Sequence, residues 1–177
     1  TEKKIEEVIF ELEKKTGVYL KNINLLLDTQ QTLRISLSIS KNFEGKKIKK
    51  SDVEYLIQDA KQQIIKTYLQ HSIVHIISTN YKIDDKNCDR PPLDSEGNKL
   101  AFDIIFICFP KEVINKIKNL FQKYEISIDQ ILCTSYVKSL NYKEQFAYYK
   151  DVAFIDVGYE KTSIIVYNSN QLNIFET

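Results

Sequence analysis

The sequence predicts an α/β chain of the α+β kind, and three stretches carry that prediction. Leu33, Ile35, Leu37 and Ile39 alternate with Arg34, Ser36 and Ser38. This is the two-residue period of a strand with one wet face. Val53, Leu56, Ile57, Ala60, Ile64 and Tyr68 fall at the spacing of a helix that buries one stripe. Ala101 to Phe109 is almost wholly apolar, as expected for a central strand covered on both faces.

The remaining elements follow in order. Ile5, Val8, Ile9 and Leu12 define a first helix, and Gly17 stands where a C-terminal cap would sit. Ile23, Leu25 and Leu27 alternate as a strand. The short connection from Asp28 to Gln31 predicts that this strand forms an antiparallel hairpin with the next. After a lysine-rich loop, Ser51 and Glu54 make a capping-box pattern, and Asp52 and Glu54 suit a helix's first turn. Ile73 to Ile77 and Tyr81 to Ile83 read as strand, and Asp84 to Asn98, with Pro91, Pro92 and Gly97, as the longest loop. Pro110 opens a helix whose buried face is Val113, Ile114, Ile117, Leu120, Phe121 and Tyr124. Ile126 to Leu132 is a short strand, Thr134 to Tyr149 is helical in part, and Val152 to Val157 is a buried strand. Ser163 to Tyr167 and Leu172 to Phe175 close as a hairpin around Asn168 to Gln171. A boundary is expected near residue 100. Beyond it, the order strand, helix, strand, helix, strand suggests part of a mixed or parallel sheet.

Composition narrows the function. Twenty-five basic residues against 24 acidic ones leave a net charge of +1, which argues against broad binding to nucleic acid. No apolar run reaches the roughly 18 residues of a transmembrane helix. The charged, periodic N-terminus is unlike a signal peptide. Three cysteines without repeated spacing suit a reducing cytoplasm, and Cys108 and Cys133, each after an apolar run, are expected to be buried. The chain has no Met and opens at Thr1 inside a helical pattern, so it is expected to be a piece of a longer protein.

Chemistry concentrates in one segment, Asp156-Val157-Gly158-Tyr159-Glu160-Lys161-Thr162-Ser163. Asp156 ends a buried strand, where a carboxylate can hold a metal-bound water. Gly158 lets backbone amides approach a phosphate, and Thr162 adds a hydroxyl. The competing reading is an ordinary hairpin turn. His71, His75 and Cys88 could be imagined as zinc ligands, but no second paired-ligand motif accompanies them, so no metal site is expected. No nucleophile-elbow pattern is present, and no catalytic residue is assigned. Lys41, Lys46, Lys47, Lys49 and Lys50 form a basic loop with only Phe43 available for stacking, so it reads as a solvated surface. The Asp84 to Asn98 loop is a candidate contact element.

Together these segments resemble the bacterial cell-division family FtsA, which has an actin fold, and more distantly the pilus-assembly family PilM. Asp156-Val157-Gly158 resembles the family's second phosphate motif, usually Asp-Ile-Gly-Gly-Gly-Thr-Thr. Val74 to Asp84 resembles its strand ending in a Tyr and an Asp, here Tyr81 and Asp84. Pro92 through Gly97 to Leu100 resembles its Pro-x-Gly-x-x-Gly-x-x-Leu loop. Lys49 to Val53 sits at the family's capped helix start, and Ile128 to Ile131 matches the strand returning to the actin-like part. Departures are concentrated in the turn. Tyr159 and Glu160 replace its second and third glycines, Lys161 stands at the first Thr, and Ser163 at a frequent Asp. In the upstream loop Asp94 replaces a glycine. The turn is as similar to the PilM pattern as to the FtsA one.

The resemblance implies a small strand-helix-strand-strand subdomain followed by part of an actin-like, ribonuclease H-like sheet. Residues 1–19 would be a helix of the actin-like part, 20–102 the 1C subdomain, and 103–177 the second half of the 1A subdomain, truncated. It implies a partial nucleotide-phosphate site at Asp156, Gly158 and Thr162. ATP and magnesium are expected only in the full-length protein, so the piece itself is expected to be no enzyme. The implied partners are FtsZ and other division proteins, with self-association through the 1C-like region and no nucleic acid. The implied location is cytoplasmic, at the inner face of the membrane at the division site through a C-terminal helix. The alternatives are a PilM-like pilus or secretion scaffold, or an ATP-using enzyme or chaperone of the actin fold.

Overall fold

A computed structural model describes residues 2–159 and 161–177. The elements run α1 (Glu2–Thr16), β1 (Asn22–Leu27), β2 (Leu33–Asn42), α2 (Lys50–Thr67), β3 (His71–Ile83), β4 (Lys86–Cys88), β5 (Lys99–Pro110), α3 (Lys111–Gln122), β6 (Ser127–Cys133), α4 (Thr134–Gln145), β7 (Val152–Val157), β8 (Thr162–Asn168) and β9 (Gln171–Glu176). The strands form three sheets: β1-β6, β2-β5-β3-β4 and β7-β8-β9.

The β2-β5-β3-β4 sheet is antiparallel throughout and is organised around β5. Alternate residues of β5 point into two different cores. Leu100, Phe102, Ile104, Phe106 and Cys108 pack with Val53, Ala60 and Ile64 of α2. Ile105, Ile107 and Phe109 pack with Ile165, Tyr167, Leu172 and Phe175 of the β7-β8-β9 meander. This explains the apolar run from Ala101 to Phe109, since neither face of the strand meets water. The boundary expected near residue 100 falls inside this strand, which serves both cores. In β2 the inward residues Leu33, Ile35, Leu37 and Ile39 border the first core, while Ser36 and Ser38 are exposed.

Four expectations are corrected. The segment 22–27 does not form a hairpin with 33–42. It pairs in parallel with β6, with Leu27 opposite Cys133, because Leu27 and Ile131 join the second core while β2 belongs to the sheet over the first. The strands after residue 100 do not form one mixed or parallel sheet, but are divided among all three. The helix start lies two residues earlier than the Ser51–Glu54 pattern placed it. Lys49 is the N-cap, and its backbone N–H donates to Asp52 Oδ2 at 3.1 Å. That bond is the main reason the Asp52 carboxyl titrates below its usual range. Finally, the 84–98 loop contains a short strand, β4, which turns back on β3 through Asp84 and Asp85, both at positive φ. The first helix ends as expected. Gly17 has φ of 68° and its N–H donates to Glu13 O at 2.8 Å. Cys108 and Cys133 are fully buried.

Candidate functional site

Two places are candidates: the β7–β8 turn and the surface built by the two long loops of the β2-β5-β3-β4 sheet.

The turn joins β7 to β8, whose pairing places Val157 opposite Thr162 and Asp156 opposite Ser163. A pocket of about 180 Å³ opens beside it, lined in part by Asp28, Ser135, Asp156, Gly158, Lys161 and Ser163. The sequence-predicted residues Asp156 and Gly158 therefore do share a pocket. Thr162 is exposed on the neighbouring strand and does not line it. Glu160, one of the departures from the family motif, lies outside the described residues.

Each predicted phosphate-binding group already has a partner within the chain or points away. The Gly158 N–H donates to Lys161 O at 2.9 Å, closing the turn on itself. A Cβ at Gly158 would stand 3.0 Å from that same oxygen, so the glycine serves a tight turn. Asp156 faces Lys138 of α4, with Nζ to Oδ2 at 3.3 Å.

Sequence reasoning missed Asp28 and Ser135. Asp28 follows β1 and receives three groups: Lys161 Nζ at 3.1 Å, the Ser135 hydroxyl at 2.9 Å and the Cys133 thiol at 3.5 Å. Ser135 and Ser163 hydroxyls lie 3.0 Å apart and are both buried. Burial pushes the Cys133 thiol up to about 11, so it stays protonated and can donate. No signal in the sequence linked Asp28 to a turn more than a hundred residues away. Only the parallel β1–β6 pairing brings the end of β1 beside Cys133 and the start of α4.

His71, His75 and Cys88 do not converge. His71 opens β3 opposite Pro110, and Cys88 pairs with Tyr81 at the far end of that strand. Among the described residues no cluster of His, Cys, Asp or Glu could hold a metal ion. His75 has a structural place instead. Its Nε2 accepts the Cys133 N–H at 2.9 Å, and its ring meets Tyr136 edge-on at 4.8 Å. Burial lowers its pKa to about 4, so the imidazole is neutral at pH 7.

The second place joins the lysine-rich loop 43–49 to the loop 84–98. Phe43 N–H donates to Asn98 O, Ile48 N–H to Ser95 O, and Asp94 N–H to Ile48 O. Phe43 and Ile48 are buried beneath this seam. The lysine loop is thus held against its neighbour by backbone bonds, with its charges outward. Asp84 explains the Tyr-and-Asp motif: its carboxylate accepts the N–H groups of Asn98 and Lys99 at 3.0 and 2.8 Å. Tyr81 stacks on Phe102 at 5.0 Å and donates its hydroxyl to Ser78 Oγ. Gly97 explains the loop motif, because a Cβ there would come within 2.4 Å of Ile83 Cγ2. Gln171, at the start of β9, ties this surface to the meander. Its Oε1 accepts from Thr79 Oγ1 and the Asn80 N–H, and its Nε2 donates to the carbonyls of Cys88 and Asp89.

A two-core α+β architecture, with three sheets and one strand, β5, shared by both cores, defines the class of this chain. Its fold matches that of a PilM-PilN type IV pilus biogenesis complex, with a TM-score of 0.59, 10% identity, and coverage of 97% of this chain and 46% of that one. Residues 30–108 match the family model described as the SHS2 domain inserted in FtsA. The chain is also similar to the cell division protein FtsA of Buchnera aphidicola subsp. Schizaphis graminum, 24% identical over 86% of this chain and 35% of that protein. Its similarity to FtsA of Buchnera aphidicola subsp. Acyrthosiphon pisum is 24% identity over 81% of this chain and 32% of the relative. The chain thus spans about a third of the length of the curated relatives it matches. The similarity to FtsA thus runs along most of this chain, and the match to the SHS2 family model is confined to residues 30–108.

Proposed function

We propose that this chain is part of an actin-like cell-division scaffold that self-associates and recruits division proteins. The observation that carries this reading is the SHS2 match over residues 30–108, together with FtsA similarity along most of the chain. The seam between loops 43–49 and 84–98 supports a recruiting role. It fixes two oppositely charged loops on one surface by backbone hydrogen bonds, so a partner would meet a preorganised face. In the full-length protein this scaffold links FtsZ filaments to the inner face of the membrane at the division site. Among the described residues no helix is long and apolar enough to cross a membrane. The 1C-like role is assigned to residues 20–102 and the actin-like role to the remainder. The piece carries no catalytic residue in this reading.

A bacterial two-hybrid assay of the full-length protein against itself and against division proteins tests the proposal. At least one division-protein partner is expected, and a complete absence of partners would count against it. The PilM-like fold favours a second reading, a pilus or secretion scaffold. A terminal amphipathic helix in the full-length sequence supports the division scaffold; its absence supports the pilus one. A third reading, an ATP-using enzyme or chaperone, requires ATP turnover by the full-length protein that Asp156→Asn abolishes.

A further inference from the structure

The family resemblance implies ATP and magnesium at the β7–β8 turn, and the residues present do not fit them. A phosphate needs free amide donors and a surplus of positive charge. Here the Gly158 amide is consumed by Lys161 O, and Asp156, the group that would hold a metal-bound water, is paired with Lys138. The pocket's own cation, Lys161, is already neutralised by Asp28, with side chains only 14% and 26% exposed.

We propose that the Asp28–Lys161 pair is a built-in latch that closes this turn and holds it without nucleotide. The pair joins the end of β1 to the β7–β8 turn. Ser135 at the start of α4 bonds the same carboxylate and reaches Ser163. One carboxylate therefore ties the β1-β6 sheet, α4 and the meander together. In a nucleotide-dependent protein a bound phosphate could draw such parts together; here the chain supplies both charges itself.

The inference rests on reading the turn as the counterpart of the family's phosphate hairpin, and its test is separate from the partner assay. The thermal midpoint of the full-length protein is measured with and without about 1 mM ATP and excess magnesium, for wild type, Asp28→Asn, Lys161→Met and the double variant. The wild-type midpoint is expected not to move with ATP, since only a ligand bound well below its concentration stabilises the fold. Each single variant is expected to lower the midpoint by about 2–4 °C, and the double variant by little more than either single one. A wild-type midpoint raised several degrees by ATP overturns the latch, as do single-variant losses that add in full. If Lys161→Met fails to fold, the wild-type titration decides by itself. Loss of partners in the two-hybrid assay would sink the scaffold reading and leave this result standing.

Discussion

At the residue scale, single side chains do work that their identity alone did not announce. Gln171 uses its amide oxygen for Thr79 and Asn80 and its nitrogen for two carbonyls of the 84–98 loop. Gln171→Ala would leave several of these groups without their partner. The expected loss is about 1–3 kcal/mol in urea denaturation, with the 84–98 loop more readily cleaved by protease. Gly97 is fixed by crowding against Ile83. Gly97→Ala is expected to cost about 1–3 kcal/mol, read in the same titration. His75 sets a pH dependence. Its folded pKa is about 4, against an ordinary value of 6.5, because burial disfavours the charged ring. Between those values the unfolded chain binds more protons than the folded one. The contribution is therefore fully present above pH 6.5 and is lost as pH falls toward 4. Denaturation midpoints measured from pH 7 to 4.5 should fall, and His75→Gln should flatten that slope. An equal slope in the variant would assign it to other groups.

At the element scale, β5 holds the molecule together because its two faces serve two cores. Phe106, fully buried against α2, is expected to cost about 3–5 kcal/mol when cut to Ala. That is a large share of the roughly 5–15 kcal/mol that stabilises a domain, so the variant should populate unfolded protein at physiological temperature. A midpoint shift near zero would mean that Phe106 is not in the core. This strand was legible in the sequence, as were β2, α2, α3 and the β8–β9 hairpin, because each carries its burial pattern locally. The Leu33–Ile39 alternation and the Val53–Ile64 stripe are local records of one buried face. The β1 partner was not legible. A short connection from Asp28 to Gln31 suits a hairpin, but parallel pairing with β6 is decided by a core more than a hundred residues away. The same reason hid the candidate site's main carboxylate. Asp156 and Gly158 could be chosen from their turn, whereas Asp28 reaches Lys161 only through that parallel pairing.

At the scale of the whole molecule, the charge pattern and the two loops favour contact with other proteins. The net charge is only +1, so the lysines of loop 43–49 do not make the chain broadly basic. Their seam with the 84–98 loop instead presents both signs of charge side by side, which suits selective recognition more than attraction to a polyanion. Charge reversal of Lys46 and Lys47, both to Glu, should weaken a partner's binding about tenfold while leaving the fold's denaturation midpoint within error. Unchanged binding would move the contact elsewhere on the surface. Membership of a division scaffold is tested most directly by where the full-length protein sits in dividing cells. Immunolocalisation should show a band at the division septum in constricting cells. Staining spread evenly through the cell, or confined to the poles, would contradict it.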